Sequence, residues 1–305
     1  MRIVDLFSGI GGFHLAAKRV DPTTQCVLAC DICPRAREVY FQNFGTEPHS
    51  DVRLLRGLPP HDVLCAGFPC QSFSAIGHGE GLNDKQRGML IWEALRIARA
   101  SHSPCIMLEN VRRLVTLDGG LVLAGILHEL KRMGYTPFHR VLNAMDYGLP
   151  QRRERVFIIA FADATVASRF EWPSQRPMAA LGDILESVAD SRYHASTHVK
   201  QLTYARRGAS STDLNNRIWI TDKGNRVTHR PYALTLRANP SYNNMLVDGV
   251  RRFTETEMLR LQGFPDEFKM IGCSYTTTRS LLGNSVPVTM VSALFESIIV
   301  AFSDL

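Results

Sequence analysis

The chain has 305 residues, 45 % hydrophobic and 21 % charged, the balance of an ordinary globular protein able to bury a sizeable core. That composition excludes collagen-like, coiled-coil and wholly disordered classes, and no uninterrupted apolar run approaches the length of a membrane span. The net charge of +6 is unevenly placed: nine Lys/Arg stand against two Asp between Arg192 and Arg237, leaving the rest of the chain near neutral. One basic segment of this kind suits a polyanion, nucleic acid being the commonest, or a solvated basic face with no partner.

Arg2–Phe7 reads as a strand. Asp5 within it breaks any secretory signal core, so the chain is expected to stay in the cytoplasm. Ser8-Gly9-Ile10-Gly11-Gly12 follows, and Phe13, Leu15, Ala16 and Ala17 open a helix. Cys26–Cys30 is a second strand, with a helix through Ala36, Val39, Tyr40 and Phe44. Val63–Ala66 is a further apolar run ending at Gly67-Phe68-Pro69-Cys70. Met89–Ala100 is helical by period, Cys105–Leu108 is a strand ending at Glu109-Asn110-Val111, Leu121–Met133 is helical, and Val156–Phe161 is a buried strand. This alternation predicts an α/β fold: an open, doubly wound, mostly parallel sheet with helices on both faces and ligands at the carboxyl ends of its strands.

Beyond about Thr165 the texture changes to Ser, Thr, Arg, Asn and Pro, which predicts a small, irregular, β-rich domain. Thr254–Gln262 is a short helix with a Thr-Glu-Thr-Glu start. Val288, Val291, Leu294, Phe295, Ile298 and Ile299 share one face of a last helix, which needs the first-half sheet as partner. The expected division is a large domain over residues 1–165 completed by 254–305, with 166–253 inserted as a smaller one. The seven cysteines, Cys26, Cys30, Cys33, Cys65, Cys70, Cys105 and Cys273, have unrelated spacings and suggest no disulfide framework. Cys26, Cys30 and Cys33 raise the question of zinc, but a structural site wants a second ligand pair and none is visible, so no metal is expected.

Several segments carry chemistry. The glycines of residues 9–12, between a strand and a helix, allow a tight turn and close approach of a ligand to the backbone. Asp31, at the end of the second strand, suits a ribose diol. Asp51, where another strand could end, could accept from an adenine amino group. Together these describe an adenosine-containing cofactor, although each aspartate alone would more often cap a turn. Cys70, stiffened by Pro69 and followed by Gly77, Gly79, Gly81 and Gly88, reads as a nucleophile under a mobile lid or as an inert thiol. Glu109 could stand beside it across neighbouring strands. In Gln151-Arg152-Arg153-Glu154-Arg155, alternation would put Gln151, Arg153 and Arg155 on one face, where guanidinium groups would favour a thiolate.

Taken in order, Asp5-Leu6-Phe7-Ser8-Gly9-Ile10-Gly11-Gly12-Phe13, Gly67-Phe68-Pro69-Cys70-Gln71-Ser72-Phe73-Ser74, Glu109-Asn110-Val111, Gln151 to Arg155, and Gly283-Asn284-Ser285-Val286-Pro287 resemble the DNA (cytosine-5) methyltransferase family over nearly the whole chain. The resemblance implies a class I methyltransferase fold, Rossmann-like, with a target-recognition domain inserted. It implies S-adenosylmethionine held by Phe7, Ser8, Gly9, Ile10, Gly11 and Gly12, by Asp31 at the ribose, and by Ile32 on the adenine where the family often has an aromatic ring. Asp51 and Val52 would read the adenine edge, and Gly67, Pro69, Leu90, Asn284 and Ser285 would complete the pocket. Cys70 would be the nucleophile, Glu109 the contact to N3 and the amino group, and Arg155, with Arg153 beside it, the holder of O2. Gln71, Ser72 and Ser74 would face DNA on closure. Arg217 and Leu234-Thr235-Leu236 resemble the segment joining recognition to catalysis, and Arg206, Arg207, Arg226 and Arg230 are the candidate phosphate contacts or base readers.

On this resemblance the partner is double-stranded DNA, the enzyme acts as a monomer, and a restriction endonuclease could be its functional counterpart; no membrane is involved. Two rival readings stand beside it. An RNA methyltransferase of the same fold would carry a Cys-Phe-Thr signature in its insert, and Cys273-Ser274-Tyr275 does not match. A catalytically dead DNA-binding regulator would be expected to lose Cys70 or a glycine of the cofactor turn, and both are present.

Overall fold

The computed structural model describes residues 1–69, 89–187, 190–205, 216–221, 226–238 and 245–303. They form two compact units: Met1–Asn143 with Glu154–Ser174 and Met290–Leu305, and Ala144–Arg153 with Gln175–Thr289. By compactness, residues 144–153 and 254–289 therefore group with the inserted segment, unlike the division drawn from the sequence.

The first unit opens with β1 (Arg2–Leu6), α1 (Gly12–Val20), β2 (Gln25–Cys30), α2 (Pro34–Phe44), β3 (Val63–Gly67), α3 (Met89–Ser101), β4 (Cys105–Val111) and α4 (Leu121–Arg132). It continues with β5 (Thr136–Asn143) and, beyond a short strand β6 (Gln151–Arg152) of the second unit, β7 (Glu154–Phe161) and α5 (Ala164–Arg169). Its sheet has the order β2-β1-β3-β4-β7-β5. The first four strands are parallel, and β7 and β5 join antiparallel. The chain steps outward from β1 to β2 and returns to β3 on the other side of β1, so the topological switch point lies between β1 and β3.

β4 is buried from Cys105 to Asn110, as a central strand with both faces covered must be. On one face Val4, Leu6, Leu64, Ala66, Ile106, Leu108, Val156 and Ile158 pack with Ile91, Ala94 and Leu95 of α3 and Leu123, Ile126 and Leu130 of α4. Alternation turns Asp5, Cys65, Gly67, Met107, Glu109, Arg155 and Phe157 to the opposite face. The edge strand β5 has no counterpart in the sequence reading. Only one of its residues is buried, and they include Pro137 and Arg140, so it lacks the apolar run that marks a buried strand.

The second unit holds β6 paired in parallel with β10 (Ala233–Leu234), and a three-stranded antiparallel sheet in which β8 (Ile218–Thr221) lies between β9 (Val227–Arg230) and β11 (Met245–Val247). Its helices are α6 (Thr197–Ala205), α7 (Glu255–Leu261) and α8 (Tyr275–Asn284). The Thr-Glu-Thr-Glu start works as read: Thr254 caps α7 and exchanges hydrogen bonds with Glu257 in a capping box. The last helix, α9, runs from Val288 to Phe302. Tyr275–Phe302 is long and apolar enough by composition to cross a membrane, but it is two helices with an extended Ser285 at the break, and 61 % of its most apolar window is buried in the protein.

Candidate active site

The loop after β1 is shaped by its left-handed residues. Phe7 (φ 57°), Gly9 (φ 54°) and Gly11 (φ 91°) turn the chain from strand to helix, and the Gly11 N–H closes the turn on the Ser8 carbonyl at 2.8 Å. The two glycines are needed for different reasons. A Cβ on Gly11 would stand 2.3 Å from the Phe44 ring, so that position is closed by packing. Among the described residues a Cβ on Gly9 would meet nothing within 4 Å, leaving that side of its backbone open to a ligand. The Gly9 N–H donates to Asp31 Oδ2 at 2.7 Å, and the Cys33 N–H to Asp31 Oδ1 at 2.8 Å. Burial nevertheless pushes the Asp31 carboxyl above the usual aspartate range. Ile32 beside it is 70 % exposed, an apolar surface without a covering partner on this loop. Open backbone, an acidic group at a strand end and a free apolar side chain fit the nucleoside part of an adenosine cofactor.

Asp51 departs from expectation. The strand imagined before it shrinks to one bridge between Cys30 and His49, and Asp51 caps a short 3-10 turn, Val52–Leu54. Arg53 grips both its oxygens, Nε on Oδ1 at 2.9 Å and Nη2 on Oδ2 at 2.6 Å, which lowers the carboxyl's pKa. Val52 is buried beneath this turn, and Leu90 is half-buried on α3.

At the carboxyl edge of the same sheet, Gly67 ends β3 and pairs with Glu109 on β4, while Arg155 stands second in β7, opposite Val111. Glu109 and Arg155 thus share a face diagonally. Arg155 Nε lies 2.9 Å from Glu109 Oε1, and both side chains are about nine-tenths buried. A Cβ on Gly67 would come 3.5 Å from Glu109 Oε2, which places the end of β3 beside that carboxylate. Asn110 donates from Nδ2 to the Phe68 carbonyl at 2.9 Å, tying the segment that enters Pro69 to the end of β4. This clamp had no counterpart in the sequence reading; its signal was a polar residue at the end of an apolar strand. Cys70, Gln71, Ser72, Ser74, Arg206 and Arg207 lie outside the described residues.

Residues 151–155 do not form one continuous strand. The chain changes sheets there: Gln151 pairs with β10, and Arg155 pairs with β4 and β5. Arg153 belongs to the second unit, where it is 1 % exposed and donates from Nη1 to the Leu236 carbonyl (3.0 Å) and from Nη2 to those of Gly283 (3.0 Å) and Ser285 (2.6 Å). Its terminal nitrogens thus face backbone carbonyls. Ser285 is buried at the end of α8, and Asn284 before it is exposed. Arg217 anchors the start of β8 through a reciprocal pair with Asp248: its N–H reaches Oδ1 at 2.9 Å, and the Asp248 N–H reaches its carbonyl at 2.8 Å. Arg226 and Arg230 are exposed at the two ends of β9, and the Arg230 guanidinium lies 5.9 Å from the Tyr232 ring.

The geometry is that of a doubly wound α/β unit with a buried Glu–Arg pair at the carboxyl edge of its strands. Comparison with known proteins agrees. The sequence model of the C-5 cytosine-specific DNA methylase family matches residues 1–300. The type II methyltransferase M.NgoBI of Neisseria gonorrhoeae is 41 % identical over 298 residues, covering 96 % of this chain and 91 % of its own. M.HaeII of Haemophilus aegyptius is 39 % identical, covering 98 % and 92 %. In fold, a methyltransferase of Entamoeba histolytica superposes with a TM-score of 0.73 at 19 % identity, covering 98 % of each chain. The Dnmt2 methyltransferase of S. pombe gives 0.72 at 21 %, again covering 98 % of each. The chain belongs to the C-5 cytosine-specific DNA methylase family. It is a DNA (cytosine-5-)-methyltransferase.

Proposed function

We propose that the chain transfers the methyl group of S-adenosylmethionine to C5 of a cytosine flipped out of double-stranded DNA, through covalent addition of Cys70 at C6. The observation that carries this is the buried Glu109–Arg155 pair beside Gly67, three residues before Cys70 in the sequence. Cytosine C5 is a poor nucleophile. A thiolate bonding to C6 makes the C5–C6 bond part of an enamine, and electron density builds at O2 and N3. Arg155 would stabilise O2 and Glu109 would hold N3 and the amino group, both from largely buried positions. After methylation a base removes the C5 proton, the electron pair re-forms the double bond, and Cys70 leaves. None of these atoms is reachable inside a stacked duplex, hence the flipped base.

The cofactor supplies an electrophilic methyl group on a sulfonium sulfur. The residues proposed to hold it are the Phe7–Gly12 loop, Asp31 at the ribose hydroxyls, Ile32 against the adenine, Asp51 and Val52 at the adenine edge, and Gly67, Pro69, Leu90, Asn284 and Ser285 around the remainder. Residues 1–165 with 254–305 are proposed as the catalytic part and 166–253 as the recognition part, Arg217, Arg226 and Arg230 contacting DNA. A monomer acting in the cytoplasm beside a restriction endonuclease is the setting this suggests.

The test is transfer of tritium from labelled S-adenosylmethionine to unmethylated duplex DNA, followed by nucleoside analysis. Label in 5-methyldeoxycytidine is expected. Label on an exocyclic amino group, or on RNA alone, would overturn the reading.

A further inference from the structure

Three of the most deeply buried polar side chains in the second unit form one network. Gln151, Arg153 and Gln262 are 0 %, 1 % and 0 % exposed. Gln151 accepts from the Leu236 N–H through Oε1 (2.8 Å) and donates through Nε2 to the Leu261 carbonyl (2.8 Å) and to Gln262 Oε1 (3.2 Å). Gln262 Nε2 donates to the Leu282 carbonyl. Arg153 bonds the carbonyls of Leu236, Gly283 and Ser285. Leu282 and Gly283 lie in the last turn of α8, where carbonyls lack the usual i+4 helical partner and that of Leu282 accepts the Ser285 N–H at 3.1 Å. Gln262 and Arg153 therefore cap that helix end, and the guanidinium also carries the charge its dipole favours.

A second observation ties the same two segments. A Cβ on Gly283 would stand 2.4 Å from the Ala238 N and 2.6 Å from the Arg237 carbonyl carbon. The backbone at 236–238 thus runs directly against the 283–285 turn, and only glycine permits it. Thr235 Oγ1 adds a bond to the Arg152 carbonyl at 2.8 Å.

We propose that Arg153, with Gln151 and Gln262, is a positioning residue serving two ligands at once. Through the Ser285 and Gly283 carbonyls it fixes the exposed Asn284 and its neighbour for the cofactor. Through Leu236 it fixes the segment that leads from the recognition insert. This rests on the reading of Asn284 and Ser285 as cofactor residues and of 234–236 as recognition-linked. A planar fork can serve three carbonyls in different directions; an ammonium on a flexible stem cannot hold the same three.

The experiment compares the full-length wild type with Arg153→Lys. Equilibrium dialysis gives Kd for S-adenosylmethionine, filter binding gives Kd for unmethylated duplex DNA of mixed sequence, and turnover gives kcat and both KM values. The expected result is a folded variant with both Kd values, and both KM values, raised about tenfold or more, as loss of charged hydrogen bonds predicts. Its kcat should change much less than either KM. A fall in kcat with both affinities intact would overturn the proposal in favour of direct action on the base. So would a change in one affinity only, or a lower melting temperature with unchanged binding. If Arg153→Lys does not fold, Gln262→Met must give the paired rise in Kd, and failure of both variants to fold makes the network a folding element and overturns the proposal. A wild type that binds both ligands yet transfers no methyl group would refute the proposed function while leaving this test standing.

Discussion

Around β4 of the first unit the buried residues are mostly aliphatic, from Ile106 and Leu108 to Ile158 on the neighbouring strand; in the second unit the residues buried most completely include Gln151, Arg153, Glu257 and Gln262. A sheet provides its own backbone partners, so its side chains are free to be apolar. The second unit has strands of two to four residues and several loops, so more of its backbone depends on side chains for partners. Glu257 illustrates this: wholly buried, it takes Arg251 in two bonds of 2.7 and 2.8 Å and accepts the N–H groups of Thr254 and Glu186. The first unit is specified by pattern and the second by particular residues.

The strongest way to break that contrast is at Glu257. Glu257→Leu should cost about 3–5 kcal/mol in urea unfolding, because it leaves Arg251 buried without its partner. The double change Arg251→Met with Glu257→Leu should recover much of that loss. If the single and double variants unfold alike, the pair is not what holds the segment. In the sheet, Leu64→Ala should cost about 2–5 kcal/mol through a cavity, with no comparable rescue by a single neighbouring change.

A smaller effect concerns the cofactor. Burial raises the Asp31 pKa, so its carboxylate is lost at a higher pH than that of an ordinary aspartate. Affinity for S-adenosylmethionine, measured by dialysis, should fall as pH drops through that raised value, and Asp31→Asn should flatten the dependence at a cost of about tenfold in Kd near neutral pH. For stability the sign is opposite. A raised folded-state pKa contributes stability at low pH that is lost as pH rises through it, so the variant should not be less stable than wild type at pH 8 through this group. A profile that follows pH identically in the variant would remove Asp31 from the site. Smallest is Arg230→Ala: loss of one phosphate contact should lower the salt slope of DNA binding by about one. An unchanged slope would take β9 off the DNA.

The same contrast explains what could be read from sequence. The strands around β1, β3, β4 and β7 were legible because apolar runs separated by helical periods define them, and their carboxyl ends carry the glycines, Asp31 and Glu109 where a doubly wound sheet puts ligands. The edge strand β5 was not, since exposed residues give it no pattern. Strand alternation gives no guide to Arg153, because the chain leaves one strand at Arg152 and enters another at Glu154. Gln151 and Gln262 look like ordinary polar residues in sequence; only the carbonyls of Leu261 and Leu282 and the N–H of Leu236, brought to them by distant segments, give them their role.

The most direct test of methyl transfer through Cys70 is covalent trapping on duplex DNA containing 5-fluorocytosine, with S-adenosylmethionine, beside a Cys70→Ala control. Fluorine at C5 blocks the last proton removal, so the enzyme should stall as a denaturant-stable protein–DNA adduct that requires both the cofactor and Cys70. Methyl transfer to ordinary DNA without any such adduct, or an adduct that persists in Cys70→Ala, would contradict the account.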